Sequence, residues 1–254
     1  MKSTKRVSVR RRGVCLLPNL LTTLGMLSGF YAIIASVDHN YVHAAMAIFA
    51  ALLFDGLDGR IARAMNAQSA FGAQYDSLAD MLSFGVTPAV LMYNWVVHEI
   101  SINGWHKFSW LSAFVFMACA AMRLARFNSV DIPDHGLAKR YFFGLPSPAA
   151  ALTVATIVWL GEIYGVHGPV TAVVSLIVTL LLALLMVTNI YFRSFKDLAF
   201  TEQTRFVMLV LVMLVIVAII LKPAHVIFMI MVVYVLSGPT GAVYRWRRRR
   251  KAQA

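Results

Sequence analysis

The sequence predicts an all-α fold: a polytopic bundle of about eight transmembrane helices with both termini in the cytoplasm. Three observations predict it. Hydrophobic residues make up 60% of the 254-residue chain and charged residues 13%, against roughly half and a quarter in a water-soluble domain. About eight apolar runs approach or exceed the ~17–25 residues that a helix needs to cross a bilayer. The basic residues gather between and beyond these runs, where membrane topology is written. The net charge of +12 is therefore read as a topology signal, and no nucleic-acid partner is expected.

Residues 1–16 form a basic cytoplasmic tail with Lys2, Lys5, Arg6, Arg10, Arg11 and Arg12. No small-residue cleavage site closes the first apolar run, so it is read as a spanning helix and not as a cleaved signal. Spans are expected at 17–37, 41–66, 74–98, 109–127, 147–164, 168–191, 204–221 and 225–244. Together they make one membrane domain, 17–244, followed by a second basic tail, 245–254. An even number of spans returns the chain to its starting side. With that threading, only Lys107 and Lys222 of the 23 lysines and arginines fall outside, the asymmetry expected when the other side is cytoplasmic. The terminal basic runs can also meet anionic membrane lipid. Trp95, Trp105, Trp110 and Trp246 lie near the expected membrane edges, as an aromatic belt would place them. Cys15 and Cys119 are far apart and have no metal-type spacing. The seven histidines do not cluster, and none falls among the acids. No internal repeat is visible.

The chemistry lies in the acids. The chain has only 11 Asp and Glu residues, and Asp55, Asp58, Asp76 and Asp80 fall within 26 positions. At 1.5 Å per residue, Asp55 lies about 21 Å along a span that crosses a core about 30 Å thick. Acids below the membrane surface are costly unless paired or hydrated, and mark functional sites. Spacings of three and four put each pair on one helix face, and a short turn between antiparallel helices lets the faces meet. Four converging carboxylates repel without a counter-ion. An all-oxygen set suits a hard divalent cation such as Mg²⁺, Mn²⁺ or Ca²⁺, and two ions there would clamp a diphosphate. Gly56, Gly59, Ala62 and Gly72 flank the acids, where missing side chains let a substrate approach the backbone. For Gly56 the plainer reading, close helix packing in a membrane, is preferred.

Residues 55–80 read D-x2-D-G-x2-A-R-x8-G-x3-D-x3-D. This pattern resembles the signature of the CDP-alcohol phosphatidyltransferase family, with no signature position missing. Residues 17–25 (LPNLLTTLG), 76–89 (DSLADMLSFGVTPA), 123–128 (RLARFN) and 143–149 (FGLPSPA) resemble the phosphatidylserine synthase branch. Eight spans also suit that branch, since the family core has six. The resemblance implies transfer of a phosphatidyl group from CDP-diacylglycerol to L-serine, with release of CMP, in the bacterial inner membrane with the site facing the cytoplasm. It implies that Asp55, Asp58, Asp76 and Asp80 hold Mg²⁺ or Mn²⁺, as two ions, and that Asp80 is the base for the attacking hydroxyl. It implies that Gly59, Ala62, Arg63 and Gly72 bind CDP-diacylglycerol, and that the protein is a homodimer. Arg123 and Arg126, three apart at the cytoplasmic end of the fourth span, are candidates for the serine carboxylate; Asn128 and Ser147 are possible polar partners, and Lys139 and Arg140 follow in the next loop. Two readings stay open beside this one. Another family member would use glycerol 3-phosphate, inositol phosphate or choline as acceptor. A cation transporter would also place acids in the membrane, though usually near the midplane and with internal repeats.

Overall fold

A computed structural model describes residues 16–65, 67, 69–99, 105–129, 141–193 and 202–253. Both Cys15 and the loop that carries Lys139 and Arg140 lie outside these residues. The chain folds into helices α1 (Leu16–Val37), α2 (Tyr41–Ala64), α3 (Ala70–Asp80), α4 (Thr87–Glu99), α5 (Trp105–Ser129), α6 (Ser147–Tyr164), α7 (Pro169–Val187), α8 (Glu202–Leu221) and α9 (Pro223–Gln253). A π-helical turn, Met81–Val86, joins α3 to α4, so residues 70–99 form one continuous rod. Among the described residues, six helices are long and apolar enough to cross a membrane: α1, α2, α5 from Lys107, α6, α7 and α9 as far as Ala242. The expected spans at 74–98 and 204–221 correspond to the α3–α4 rod and to α8. α9 runs past the expected end of its span as far as Gln253.

The π turn has a cause in the sequence. Pro88 has no N–H to offer the carbonyl of Phe84, and its ring crowds that carbonyl in a regular helix. The chain widens just before it, and the Thr87 N–H bonds the Leu82 carbonyl five residues back. Such one-turn π insertions often sit at functional sites.

α1 and α2 form a tight hairpin through His39, which takes a left-handed conformation (φ 61°). α6 is the hub, packed against α2, α4, α7 and α9. The core is rich in alanine: Ala32, Ala44, Ala51, Ala150, Ala155 and Ala183 are fully or almost fully buried. Small side chains let helix backbones approach where lipid offers no hydrophobic drive for association. Exposed large apolar residues cover α1, α7 and α8, which suits lipid contact. The helical expectation omitted one element, a two-stranded antiparallel ribbon of β1 (Tyr141–Phe143) and β2 (Tyr191–Arg193). Trp95, four residues from the end of α4, faces the bundle: it is wholly buried and donates its indole N–H to Glu162 Oε1 at 2.8 Å. The reason is packing: Gly161 on α6 leaves room for its ring.

Candidate active site

The acids meet because the α2–α3 hairpin matches their heights. α2 is closed at its end by the Met65 N–H, which donates to the carbonyls of Ile61 and Arg63. α3 opens on Ser69, whose hydroxyl accepts from the Gly72 N–H at 3.0 Å, an N-cap that fixes where the return helix begins. Asp55 lies nine residues before Ala64 and Asp80 ten residues after Ala70, each about 14–15 Å from the turn at 1.5 Å per residue. Asp58 and Asp76 lie six residues from the same ends, about 9 Å along. The four acids therefore face one another in two levels.

Carboxylate oxygens of Asp55, Asp76 and Asp80 lie within 4.8 Å of one another, and the carboxyls of Asp55 and Asp80 are within hydrogen-bonding reach. Asp58 lines the same pocket. It is only 4% exposed, and its Oδ2 accepts from the Thr22 hydroxyl at 2.7 Å. Gly25, Ala51, Ala79, Ser83 and Phe84, with Thr22, complete the lining of this narrow pocket. The donor set fits a hard divalent cation: oxygen ligands only, converging, with like charges that a cation would reconcile.

Gly59, Ala62 and Arg63 continue the acid-bearing helix toward its end. The Arg63 guanidinium lies over Gly59, 3.7 Å from where a Cβ would stand. Arg63 is exposed, Gly59 and Ala62 half-buried. Gly72 has no spare room: a Cβ there would stand 3.0 Å from the Ser69 hydroxyl and 3.4 Å from Asn19 Oδ1. Nothing among the described residues stands within 4 Å of a Cβ at Gly56, so the close helix packing preferred for that glycine is not seen there.

The structure separates the two arginines of α5. Arg123 is half-buried and donates to the Ser147 hydroxyl at 2.9 Å. It is close enough to Asp80 and Tyr234 for charge to act between them. Its buried Nε has no hydrogen-bond partner among the described residues. Arg126 is exposed and donates to Asn189 Oδ1 at 2.8 Å. Asn128 turns to the α3 rod and donates to Ser77 at 3.0 Å. Thr22, Ser83 and Tyr234 were not singled out from sequence. Hydroxyls in spans usually bond their own helix, and Thr22 also reaches the Pro18 carbonyl at 3.1 Å. Nothing local in the sequence marks the hydroxyl that reaches an acid.

A sequence model of the CDP-alcohol phosphatidyltransferase family matches residues 15–191. The chain belongs to that family. The matched segment holds the whole acid cluster, both arginines of α5 and β1, and ends at Tyr191, where β2 begins, before α8 and α9. Relatives within the family are named CDP-diacylglycerol–serine O-phosphatidyltransferase. That of Helicobacter pylori (strain ATCC 700392 / 26695) is 34% identical over 91% of each chain. That of Mycobacterium bovis is 38% identical over 61% of this chain and 54% of its own. That of Methanocaldococcus jannaschii is 30% identical over 74% of this chain and 79% of its own.

Proposed function

We propose that this CDP-alcohol phosphatidyltransferase uses L-serine as acceptor: it moves the phosphatidyl group from CDP-diacylglycerol to the serine hydroxyl and releases CMP. The observation that carries the reading is the convergence of Asp55, Asp76 and Asp80, with Asp58 beside them and an arginine with an unpartnered donor close to Asp80. The shared name of relatives that align along most of the chain supports serine.

Asp55, Asp58, Asp76 and Asp80 would hold Mg²⁺ or Mn²⁺, as two ions. When bound, the metal neutralises diphosphate charge and aligns the group being transferred. Arg63 contacts phosphate oxygens, which its planar fork matches. Gly59 and Ala62 leave the nucleotide room to lie against the backbone, and Gly72, packed against Ser69 and Asn19, would bound the same CDP-diacylglycerol site. Arg123 presents its free Nε–H to the serine carboxylate, with Ser147 fixing the guanidinium; Arg126 stands further out. Asp80 takes the hydroxyl proton as the new oxygen–phosphorus bond forms, and the bond to CMP breaks. A hydroxyl attacking directly needs no protein nucleophile, so a single displacement is the simplest course. The protein would sit in the bacterial inner membrane with eight spans, both termini and the site on the cytoplasmic side, and act as a homodimer.

The test is CMP release by the purified protein from CDP-diacylglycerol, with serine, glycerol 3-phosphate, inositol phosphate or choline in turn, and with Mg²⁺, Mn²⁺ or EDTA. Metal-dependent release with serine alone is expected. Release with another acceptor would sink the serine assignment and keep the family chemistry.

A further inference from the structure

The four aspartates come from two helices, but a third helix without an acid sets the distance between them. On α1, Thr22, Gly25 and Gly29 lie three and four residues apart, on one face. Thr22 holds α2 by donating to Asp58. The other two positions hold the α3–α4 rod. The Ser83 hydroxyl donates to the Gly25 carbonyl at 3.3 Å, and the Thr87 hydroxyl reaches the Gly29 carbonyl at 3.1 Å. All of these hydroxyls are buried. The fit is close: a Cβ on Gly29 would stand 2.7 Å from the Ser83 hydroxyl oxygen, so α1 cannot carry a side chain there without pushing the rod away.

Asp76, Asp80, Ser83 and Thr87 form one stripe along the rod, and the π turn interrupts it just after Asp80. A π turn changes the rotation of everything on one side relative to the other. The rod therefore needs an external fix if Asp80 is to keep its angle toward Asp55. Thr87 supplies it through one shared donor: its single hydroxyl proton lies between the Leu82 carbonyl inside the turn, at 2.8 Å, and the Gly29 carbonyl of α1, at 3.1 Å.

We propose that Ser83 and Thr87 are positioning residues for the metal site: their ties to the Gly25 and Gly29 carbonyls of α1 hold the rod in the register that brings Asp76 and Asp80 onto Asp55 and Asp58. This rests on the metal-binding reading of the acids but not on the identity of the acceptor. Residues behind metal ligands typically contribute about 10–100-fold to metal affinity.

The test uses the full chain in detergent with CDP-diacylglycerol. Mn²⁺ binding is followed by electron paramagnetic resonance, with CMP release in parallel. The variants are Ser83→Ala, Thr87→Val, Thr87→Ser and Thr153→Val. Thr153 is equally buried but donates only to Ala149 of its own helix. The half-saturating Mn²⁺ concentration should rise about tenfold in Ser83→Ala and Thr87→Val, and stay within about twofold in Thr87→Ser and Thr153→Val. Thr87→Val keeps the branched shape; should it fail to fold, Ser83→Ala carries the same comparison. Unchanged Mn²⁺ binding in both hydroxyl-deletion variants, or an equal change in Thr153→Val, overturns the proposal. Parent protein that binds no Mn²⁺ overturns it together with the metal reading. If the parent binds Mn²⁺ but releases no CMP with serine, only the acceptor assignment fails, and the resonance titration still decides the ties.

Discussion

Each aspartate has a different surrounding, and the differences separate their roles. Asp58 is the most enclosed by exposure, with one oxygen already held by Thr22; Asp80 lies against Asp55 and close enough to Arg123 for charge to act between them. All four would hold metal, and Asp80 alone would also take the acceptor's proton, so its loss should cost turnover far more than it costs binding. Asp80→Asn should lower CMP release by about a thousandfold or more, within the range that general-base and electrostatic contributions together reach, while CDP-diacylglycerol binding stays largely intact. Asp58→Asn should weaken that binding in a metal-dependent way. Equal losses of binding in the two variants would undo the separation. Arg123 yields a sharper prediction. A lysine keeps the charge but loses the fork that can hold Ser147 and a carboxylate together. Arg123→Lys should raise the KM for serine about tenfold, the loss of one charged hydrogen bond worth ~1.5–3 kcal/mol, with a smaller effect on the CDP-diacylglycerol KM. Arg126→Ala should change the serine KM by less. A serine KM unmoved in Arg123→Lys would detach that residue from the acceptor.

Elements carry constraints that no single side chain shows. The ribbon pairs Phe142 with Phe192 and ties the start of α6 to the end of α7. Gly144 leaves β1 at φ +76°, donates its N–H to the Ile190 carbonyl at 2.9 Å, and presses against the Met186 carbonyl. Ser147, the partner of Arg123, begins α6 three residues later. Gly144→Ala should therefore act twice, through left-handed strain of about 1–2 kcal/mol and through a clash with backbone. The midpoint of thermal unfolding in detergent should fall by at least about 3 °C, and the serine KM should rise with it; an unchanged midpoint would show that the turn relaxes freely. This ribbon was invisible in the sequence because two runs of three residues, nearly fifty positions apart, leave no periodicity to read. The π turn was hidden for another reason. Pro88 signals a disturbed helix, but a kink, an end and a widened turn are all answers to the same missing N–H. By contrast, the helices that carry the acids were legible, because long apolar runs and acids at spacings of three and four admit few other arrangements. The burial of Trp95 was not legible, because an indole near a helix end suits lipid contact and a buried pocket with an acceptor equally well.

At the scale of the whole molecule, the arrangement is an asymmetric device: a polar site near one end of an apolar bundle. The α2–α3 turn lies about 14 Å from Asp55 and Asp80 by helix rise, so the acids sit beneath one membrane surface, where a lipid diphosphate and a water-soluble acceptor can meet. Arg60 and Arg63 are exposed at that end of α2, while Tyr41, His39 and His98 cluster at the other, with the two histidine rings 5.0 Å apart. The proposed topology, which follows the charge asymmetry, puts the arginine end in the cytoplasm. Eight crossings then return the C-terminus to the same side, whereas losing either the α3–α4 rod or α8 as a crossing would move it across. Reporter fusions decide this. Green fluorescent protein joined after Ala254 should fluoresce, and alkaline phosphatase joined there should be inactive. Alkaline phosphatase joined after Val166, between α6 and α7, should be active. A C-terminus on the outer side would remove one crossing, and the rod and α8 could be told apart by a further fusion after Ser129. A fusion after Ser129 that reports the outer side would place Arg123 away from Asp80's side of the membrane, and the acceptor pocket proposed around Arg123 would fall with it.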